Sequence, residues 1–421
     1  MSERVAALVL AGGRVDDLAV LTAERPKSAV PVWGMYRVID FVLSNLLHSG
    51  VPIVGVLTQY RPLSLAGHLA DGSSWDYAGR TRTLRILSPY QVRIGSDWYK
   101  GTADAIYQNL HFLDHFRPDV VLVASADHVY AMDYRPLLRE HLERGADLTM
   151  ALTRVPIGQA HRYGTAALDA NGRVVSYQEK TATPASDLAS MTVYAFRYEA
   201  LVARIRQNAT EGHDHQIYSE VIPRMVAEGD RVQGHVFQGY WRYARTLDEY
   251  YATNMEVLGP SATDMATWGV RTNLYAGMVA DPPPAFFSRD ACVERSFVGA
   301  GARIEGNVEG SVLSPGVVVE RGAVVRGSVL FHHAVVRAGA RVDRAILDKD
   351  VHVGAGAEVG AGEPRPNETY PDSLRCGAVV IGKGTQVPPG TRVGRGCIVR
   401  PWLGAEAWPA KELAPGTSVL T

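Results

Sequence analysis

Short apolar runs alternate with amphipathic, helix-like stretches along the first 260 residues of the chain. The runs have the length of strands and end at polar or glycine residues, which is typical of buried strands. They predict strands at residues 5–11, 53–58, 120–124, 148–154, 173–178 and 191–196. The stretches between them predict helices at residues 38–48, 102–116 and 136–144. This alternation predicts an α/β domain with a mixed, mainly parallel sheet and helices on both faces.

A different period governs the last third of the chain. Aliphatic residues recur six apart, with glycine and small residues between them, which predicts a parallel β-helix of hexapeptide repeats. The hexad positions are Val298, Ile304, Val312, Val318, Val324, Leu330, Val336, Val342, Leu347, Val353, Val359, Ile381, Val387, Val393 and Val399. The proline-containing stretch 363–375 interrupts the hexads and predicts a loop that leaves the β-helix and returns.

The two patterns are separated by a segment in which neither is visible. The periodicity weakens around residues 257–291, and the three consecutive prolines 282–284 cannot continue a helix or a central strand. We therefore predict an α/β domain over residues 1–260, a linker over 261–290 and the β-helix over 291–421.

The composition limits the classes of protein to consider. The chain has 421 residues, 46% of them hydrophobic, which suffices for two cores. Its 43 basic and 44 acidic residues leave a formal net charge of -1, so we expect neither a nucleic-acid nor a membrane partner. Three cysteines without metal-ligand spacing and a first apolar run too short for a signal peptide favour a cytoplasmic protein.

Asp127 stands directly after the apolar run 120–124. In open α/β sheets, ligands bind beyond the carboxyl ends of the strands, so a carboxylate at this point is a candidate ligand for a divalent metal. The alternative is a structural role, in which Asp127 forms a turn with His128 or caps the next segment.

Gly12, Gly13 and Arg14 follow the first predicted strand. Glycines at such a turn let backbone N–H groups approach phosphate oxygens, and Arg14 and Lys27 could add positive charge. By itself this pattern more often indicates only a tight turn, and Asp17 is a poor neighbour for a bound anion.

Several segments, taken in this order, resemble the glucose-1-phosphate adenylyltransferase (ADP-glucose pyrophosphorylase) family over nearly the whole chain. They are residues 10–14 (LAGGR), 36–45 (YRVIDFVLSN), 56–60 (VLTQY), 98–109 (WYKGTADAIYQN), 126–130 (ADHVY), 188–191 (LASM) and 239–242 (GYWR). The resemblance implies a Rossmann-like nucleotidyltransferase domain followed by a left-handed β-helix. It also implies that glucose 1-phosphate attacks the α-phosphorus of ATP, giving ADP-glucose and pyrophosphate by positioning and charge neutralisation.

The resemblance assigns expected roles to individual residues. Asp127 resembles the family's magnesium-binding aspartate, Lys27 the lysine near the phosphates, and Glu179 and Lys180 the pair that holds the sugar hydroxyls and the sugar phosphate. These chemistries suit their roles, because a carboxylate binds a hard cation and an ammonium meets phosphate. The other implied substrate-binding residues are Gly12, Gly13, Arg14, Gln91, Arg93 and Gly101 on the nucleotide side, and Gly164 and Ser190 on the sugar side. Without the family, Lys27 would be interpreted as an exposed lysine.

The departures from the family pattern concern charged positions. The family's phosphate loop G-G-R-G-T-R has Val15 in place of its third glycine and Asp17 in place of its catalytic arginine. Tyr243 stands where the second metal-binding aspartate is expected, so we expect a weakened Mg²⁺ site. The family's glycine-lysine-aspartate before Ile-Pro is Tyr218, Ser219 and Glu220 here. Each lost catalytic group is expected to cost about a hundredfold or more in rate.

Three functions follow from these observations. The first is a subunit of an ADP-glucose pyrophosphorylase in glycogen- or starch-type glucan synthesis, with weak activity of its own or dependence on a catalytic paralogue. The second is a fully active adenylyltransferase, and the third is a non-catalytic sugar-phosphate-binding or assembly protein. The expected ligands are glucose 1-phosphate or ADP-glucose, with ATP as a further candidate, and the expected assembly is a homo- or hetero-oligomer.

Overall fold

A computed structural model describes residues 3–13, 15–89, 98–259, 262–274 and 281–421. The chain divides into two compact units. The first comprises residues 1–13, 41–62 and 69–241, and the second comprises residues 14–40, 63–68 and 242–421. The domain boundaries at residues 260 and 290 stay a prediction.

A mixed sheet forms the centre of the first unit. Four mutually parallel strands lie in its middle and at one side, and the remaining strands add antiparallel pairs and one further parallel pair. In spatial order the main path is Val174–Glu179, Gly164–Leu168, Leu188–Arg197, Val120–Ser125, Val5–Leu10, Ile53–Leu57 and Thr83–Leu87, with Leu148–Arg154 and Val232–Val236 branching from it. The predicted α/β class and all six predicted strands are confirmed. Thr83–Leu87, Gly164–Leu168 and Val232–Val236 were not predicted, since their apolar runs are short or contain glycine.

Helices surround this sheet. They are Val38–His48, Thr102–Gln108, Leu110–Phe116, Arg135–Glu143, Tyr198–Glu211 and Ile222–Ala227. The predicted single helix over residues 102–116 is broken at Asn109, whose side-chain amide donates to the Ala105 carbonyl oxygen and so competes with the helical hydrogen bond there. Among the described residues, no helix is both long and apolar enough to cross a membrane.

The carboxylate of Glu220 organises the turn that follows helix Tyr198–Glu211. Its Oε1 accepts from the backbone N–H groups of His213 and Asp214 at 2.9 and 2.8 Å. Its Oε2 accepts from the N–H of His215 at 3.1 Å and from the Asn208 amide at 2.6 Å. Burial opposes ionisation, but these four donors lower the pKa of Glu220 to about 2. The turn is therefore held by an ionised carboxylate.

The second unit contains the β-helix. Three parallel sheets run along it, so each coil is built from three short strands joined by tight turns. The sheets begin at Phe286–Phe287, Cys292–Glu294 and Phe297–Val298, and they end at Gln386–Val387, Glu412–Leu413 and Ser418–Val419. The predicted β-helix is confirmed. Helices Leu63–Leu69, Leu247–Glu256 and Ala262–Trp268 precede it in the chain.

The hexad prediction is correct for most coils and shifted by one residue in one of them. From Leu330 onward, the predicted positions are buried and lie in the interior cluster of the β-helix. In the coil before it, the interior positions are Leu313, Val319 and Val325 rather than 312, 318 and 324. Each of these pairs of neighbours contains two aliphatic residues, so a six-residue period does not select between them. The strand pairing does, because it aligns Leu313 with Leu330.

The interruption at residues 363–375 is a loop, as predicted, and Asn367 anchors it. The fully buried Asn367 side chain donates to the carbonyl oxygens of Gly396 and Gly416 and accepts from the N–H groups of Thr369 and Tyr370. A buried amide with donors and acceptors both satisfied holds the loop against the coils.

Basic side chains gather around Asp348 in the second unit, and Arg25 is buried there. The Arg25 guanidinium, only 4% exposed, is ion-paired to the fully buried Asp348 carboxylate. Burial, followed by the charges of Arg37 and Arg25, lowers the pKa of the neighbouring Lys349 to about 7. The Asp348 carboxylate thus supplies the negative charge that allows the Arg25 guanidinium to be buried.

Removing that counter-charge is expected to destabilise the chain. Asp348→Ala leaves Arg25 buried without its partner, and we expect the free energy of unfolding to fall by about 3–5 kcal/mol. Asp343→Ala is the matched control, because Asp343 pairs with Arg395 while its side chain is 48% exposed, and it should cost less than about 1 kcal/mol. Urea unfolding of the full chain measures both. Equal losses for the two variants would contradict the assignment.

Glu220→Gln tests the carboxylate of the turn. A glutamine keeps one acceptor oxygen but turns an NH₂ group toward other donors, and we expect a loss of about 2–3 kcal/mol. Because the folded-state pKa lies below the unfolded value, the ionised carboxylate stabilises the fold above about pH 4.5 and loses this effect as the pH falls toward 2. Melting temperatures recorded across that range should show a steeper fall for the unmodified chain than for the variant.

Candidate functional site

Two of the predicted site segments meet at one edge of the sheet in the first unit. Leu10, at the end of the first strand, is aligned with Ser125 at the end of the parallel strand Val120–Ser125. The Ala126 N–H donates to the Leu10 carbonyl oxygen at 3.0 Å. Gly12 and Asp127 therefore follow neighbouring strand ends, where ligands bind in open α/β sheets.

Gly12 and Gly13, at this edge, differ in what surrounds them. A Cβ at Gly12 would lie 2.8 Å from the backbone nitrogen of Gln59, so only glycine allows this close approach. A Cβ at Gly13 would meet nothing within 4 Å, which leaves its backbone open to a ligand. Arg14, Gln91 and Arg93, which the resemblance assigned to the nucleotide side, lie outside the described residues.

The Asp127 side chain is partly exposed and contacts the side chains of Ser125 and His128. Its Oδ1 accepts from the Ser125 hydroxyl at 2.6 Å and lies 3.2 Å from Nε2 of His128, while 26% of the side chain remains exposed. The alternative structural role, a turn with His128 or a cap on the next segment, stays a prediction. It does not exclude a ligand role, since a carboxylate has several lone pairs.

Asp127 is the carboxylate that the resemblance assigns to magnesium. No three His, Cys, Asp or Glu side chains gather as metal ligands within the described residues. Mg²⁺ is commonly bound by one or two carboxylates together with substrate phosphates and water. Asp127 would supply a single charged ligand, and the remainder would have to come from the substrate.

The predicted sugar side is assembled on adjacent strands of the first unit. Gly164 is paired with Glu179, and a Cβ at position 164 would clash with the Tyr177 hydroxyl and lie 2.5 Å from Oε2 of Glu179. Tyr177 donates to that same Oε2 at 2.9 Å. Burial, first, and the neighbouring Tyr194 and Glu179 raise the pKa of Tyr177, so its phenol stays protonated and remains a donor. Gly164 therefore makes room for an oriented carboxylate.

Lys180 and Ser190 complete this group. The Lys180 ammonium lies 3.1 Å from Oε1 of Glu179, and 43% of its side chain is exposed. Its backbone has φ of 46°, in the left-handed region that a non-glycine residue adopts at a cost of about 1–2 kcal/mol. The Ser190 hydroxyl lies 3.0 Å from that of Tyr194. The group therefore combines a carboxylate, an ammonium and hydroxyls on neighbouring strands of the first unit.

Gly101 has a packing role. A Cβ there would clash with the carbonyl oxygens of Asp214 and His215. The second of these carbonyls also accepts from the Ala103 N–H at 2.8 Å. Gly101 thus allows the turn held by Glu220 to pack directly against the start of helix Thr102–Gln108.

Asp17 and Tyr243, two of the residues at the departing positions, each contact a basic side chain of the second unit. The Asp17 carboxylate lies 3.3 Å from Nε of Arg245. The Lys27 ammonium lies 4.2 Å from the centroid of the Tyr243 ring. Lys27 is 3% exposed, so its interpretation as an exposed lysine is wrong, because the aromatic ring covers it.

Sequence reasoning missed Arg245, Tyr177 and the role of Glu220. Arg245 lies two residues beyond Tyr243, and this basic residue beside a departing position was the available signal. Tyr177 is two residues before Glu179 on the same strand, so both side chains point to one face. Glu220 carried no local signal, since its partners become apparent only in the folded turn.

Comparisons with known proteins agree with this architecture. The nucleotidyl transferase family model matches residues 6–259, and the GlmU-like, C-terminal hexapeptide model matches residues 282–374. A glucose-1-phosphate adenylyltransferase of a Thermotoga species is 43% identical over 98% of both chains. The protein of that name from Acetivibrio thermocellus is 36% identical over 99% of this chain and 98% of its own length. One from Geobacillus stearothermophilus is 39% identical over 77% of this chain and 84% of its own. Matching family models and relatives of this identity over the full length show that the chain belongs to the glucose-1-phosphate adenylyltransferase family.

Proposed function

We propose that this chain is a subunit of an ADP-glucose pyrophosphorylase assembly that binds glucose 1-phosphate or ADP-glucose, while its own turnover is weak and depends on a catalytic paralogue. One contrast carries the proposal. The sugar-side group around Glu179 and Lys180 is fully formed, whereas Asp17 and Tyr243 stand where the family has a cation and a metal ligand.

The sugar-side residues suit a phosphorylated sugar. Lys180 supplies a point charge for the phosphate, and the oxygens of Glu179 accept hydrogen bonds from sugar hydroxyls. Tyr177 already orients the carboxylate, so little side-chain entropy is lost when the sugar binds. Binding here needs neither a triphosphate nor a resident metal.

The residues of the nucleotide side are the reason for which we propose weak turnover. In the family's reaction, negative charge on the phosphates is stabilised by cations that are in place before the reaction. Asp17 adds an anion to the phosphate loop, and Tyr243 contributes no charge at neutral pH. Lys27 remains as a cation on this side, and Mg²⁺ would have Asp127 as its charged protein ligand, so we derive no catalytic step through the metal.

A second candidate is a fully active adenylyltransferase. The observation that favours it is Arg245, whose guanidinium lies beside Asp17 and brings a positive charge back to the loop. Under this alternative, Arg245 replaces the lost arginine, and the chain alone releases pyrophosphate from ATP and glucose 1-phosphate at an appreciable rate. The third hypothesis, a stand-alone binding or assembly protein, predicts no turnover even with an active paralogue.

Calorimetric titration of the full chain tests the proposed ligand. We expect tighter binding of glucose 1-phosphate or ADP-glucose than of ATP with Mg²⁺, because the sugar-side contacts are intact. Lys180→Gln should weaken glucose 1-phosphate binding by about tenfold or more, since a charge-assisted contact is lost. Lys411→Gln, at an exposed lysine of the β-helix, is the control. Tight ATP binding without sugar-phosphate binding would overturn the proposal, as would rapid pyrophosphate release by the chain alone.

Restoring the family residues tests whether the nucleotide side limits turnover. Asp17→Arg alone would place two guanidinium groups together, because Arg245 faces position 17, so the repair must include Arg245→Gly. We expect Val15→Gly, Asp17→Arg, Tyr243→Asp and Arg245→Gly together to raise pyrophosphate release by about a hundredfold, far more than the product of the single changes. Tyr243→Asp alone should do little.

The matched control for the repair is Asp16→Arg, which adds the same charge to the loop one residue earlier. It should leave the rate near that of the unmodified chain. A repaired chain that is folded, binds ATP and remains inert would show that other residues limit the reaction.

A further inference from the structure

An aromatic ring lies beside the ammonium of the sugar-phosphate site. The Lys180 Nζ is 5.2 Å from the centroid of the Tyr218 ring, within the range of a cation–π interaction. The same ammonium is 3.1 Å from Glu179. The Lys180 ammonium therefore has two partners, the Glu179 carboxylate and the uncharged ring of Tyr218.

The backbone that carries Tyr218 is fixed. Tyr218 belongs to a π-helical turn, Ile217–Val221, a conformation that is rare and frequent at functional sites. Ile217 is buried, and its N–H donates to the Thr102 hydroxyl at 2.9 Å. Glu220, two residues after Tyr218, anchors the preceding turn through three backbone N–H groups. The ring is thus mounted on a well-anchored segment.

The two partners of Lys180 act differently on its charge. A carboxylate attracts the ammonium but also cancels its charge, which weakens its attraction for a phosphate. An aromatic face attracts the ammonium through its quadrupole and leaves the formal charge in place. A lysine side chain is long and flexible, so without a second partner it would turn toward the carboxylate or into solvent.

We propose that Tyr218 is a positioning residue that holds the Lys180 ammonium available to the phosphate and thereby makes the site select phosphorylated over uncharged sugars. The inference deepens the proposed function and rests on it, since it concerns the same site. The family pattern has glycine at this position, which offers no ring to the lysine. The tyrosine therefore strengthens the sugar-phosphate side in a chain whose nucleotide side has lost charged groups.

Equilibrium binding to the full chain tests the proposal, with glucose 1-phosphate and glucose as the probes. We expect Tyr218→Leu, which keeps bulk but removes the π face, to weaken glucose 1-phosphate binding by about fivefold. Tyr218→Phe keeps the ring and should retain most of the affinity. Binding of glucose should change little in either variant. Tyr107→Leu, the same substitution at an exposed tyrosine of helix Thr102–Gln108, is the control, and melting temperatures verify folding.

A double-mutant cycle separates positioning from a merely structural role. In a Lys180→Gln background, Tyr218→Leu should have almost no further effect on glucose 1-phosphate binding, because the ring has no ammonium to hold. The same loss in both backgrounds, or equal affinities for Tyr218→Leu and the unmodified chain, would overturn this inference alone. Failure of the unmodified chain to bind glucose 1-phosphate would overturn the proposed function as well.

Discussion

The carboxylate of Glu220 is the constraint on which the sugar end of the first unit depends. It gathers three successive backbone N–H groups and the Asn208 amide, and its low pKa keeps it ionised. The turn fixed in this way presents the His215 carbonyl to Ala103 and leads directly into the π-helical turn that carries Tyr218. A carboxylate that accepts from several donors at once is costly to replace, so this one side chain fixes both the packing against helix Thr102–Gln108 and the turn that carries Tyr218.

The charged side chains that we propose for the sugar differ in their surroundings from those that we propose for the nucleotide. On the sugar side, Glu179 and Lys180 face solvent in part and remain able to meet a ligand. On the nucleotide side, Asp17 is paired with Arg245, and Lys27 is covered by Tyr243. The Asp17–Arg245 pair is half exposed, so it contributes little stability and acts mainly by cancelling charge at the loop. Charged side chains that already contact a partner interact less strongly with a triphosphate.

The β-helix of the second unit is stabilised by repetition, and the buried ion pair of Asp348 is an exception to that rule. Aliphatic side chains stack from coil to coil in one continuous core, and every coil needs its neighbours to bury them. Asp348 stands within this regular part, yet it is fully buried against Arg25 and next to Lys349. Burying an ion pair costs desolvation energy that hydrophobic residues would not require, so this cluster is maintained by partners and not by the coil pattern.

The sequence by itself determined the elements that rest on local pattern. Apolar runs located six strands of the sheet, the hexads located the β-helix, and ordered motifs identified the family and the candidate residues of its site. Period alone did not select the interior residue where two aliphatic residues are adjacent, as at Val318 and Val319, because the choice depends on pairing with the next coil.

Only the tertiary structure decided which side chains meet. Arg245 reaches Asp17, Tyr243 covers Lys27, and Tyr218 lies beside Lys180, although 228, 216 and 38 residues separate these pairs in the chain. A sequence pattern reports the periodicity of neighbouring residues, whereas the burial and charge of a side chain depend on residues that folding brings from far away. For this reason the sequence indicated which residues were candidates for the site, and the folded chain decided which charges remain available there.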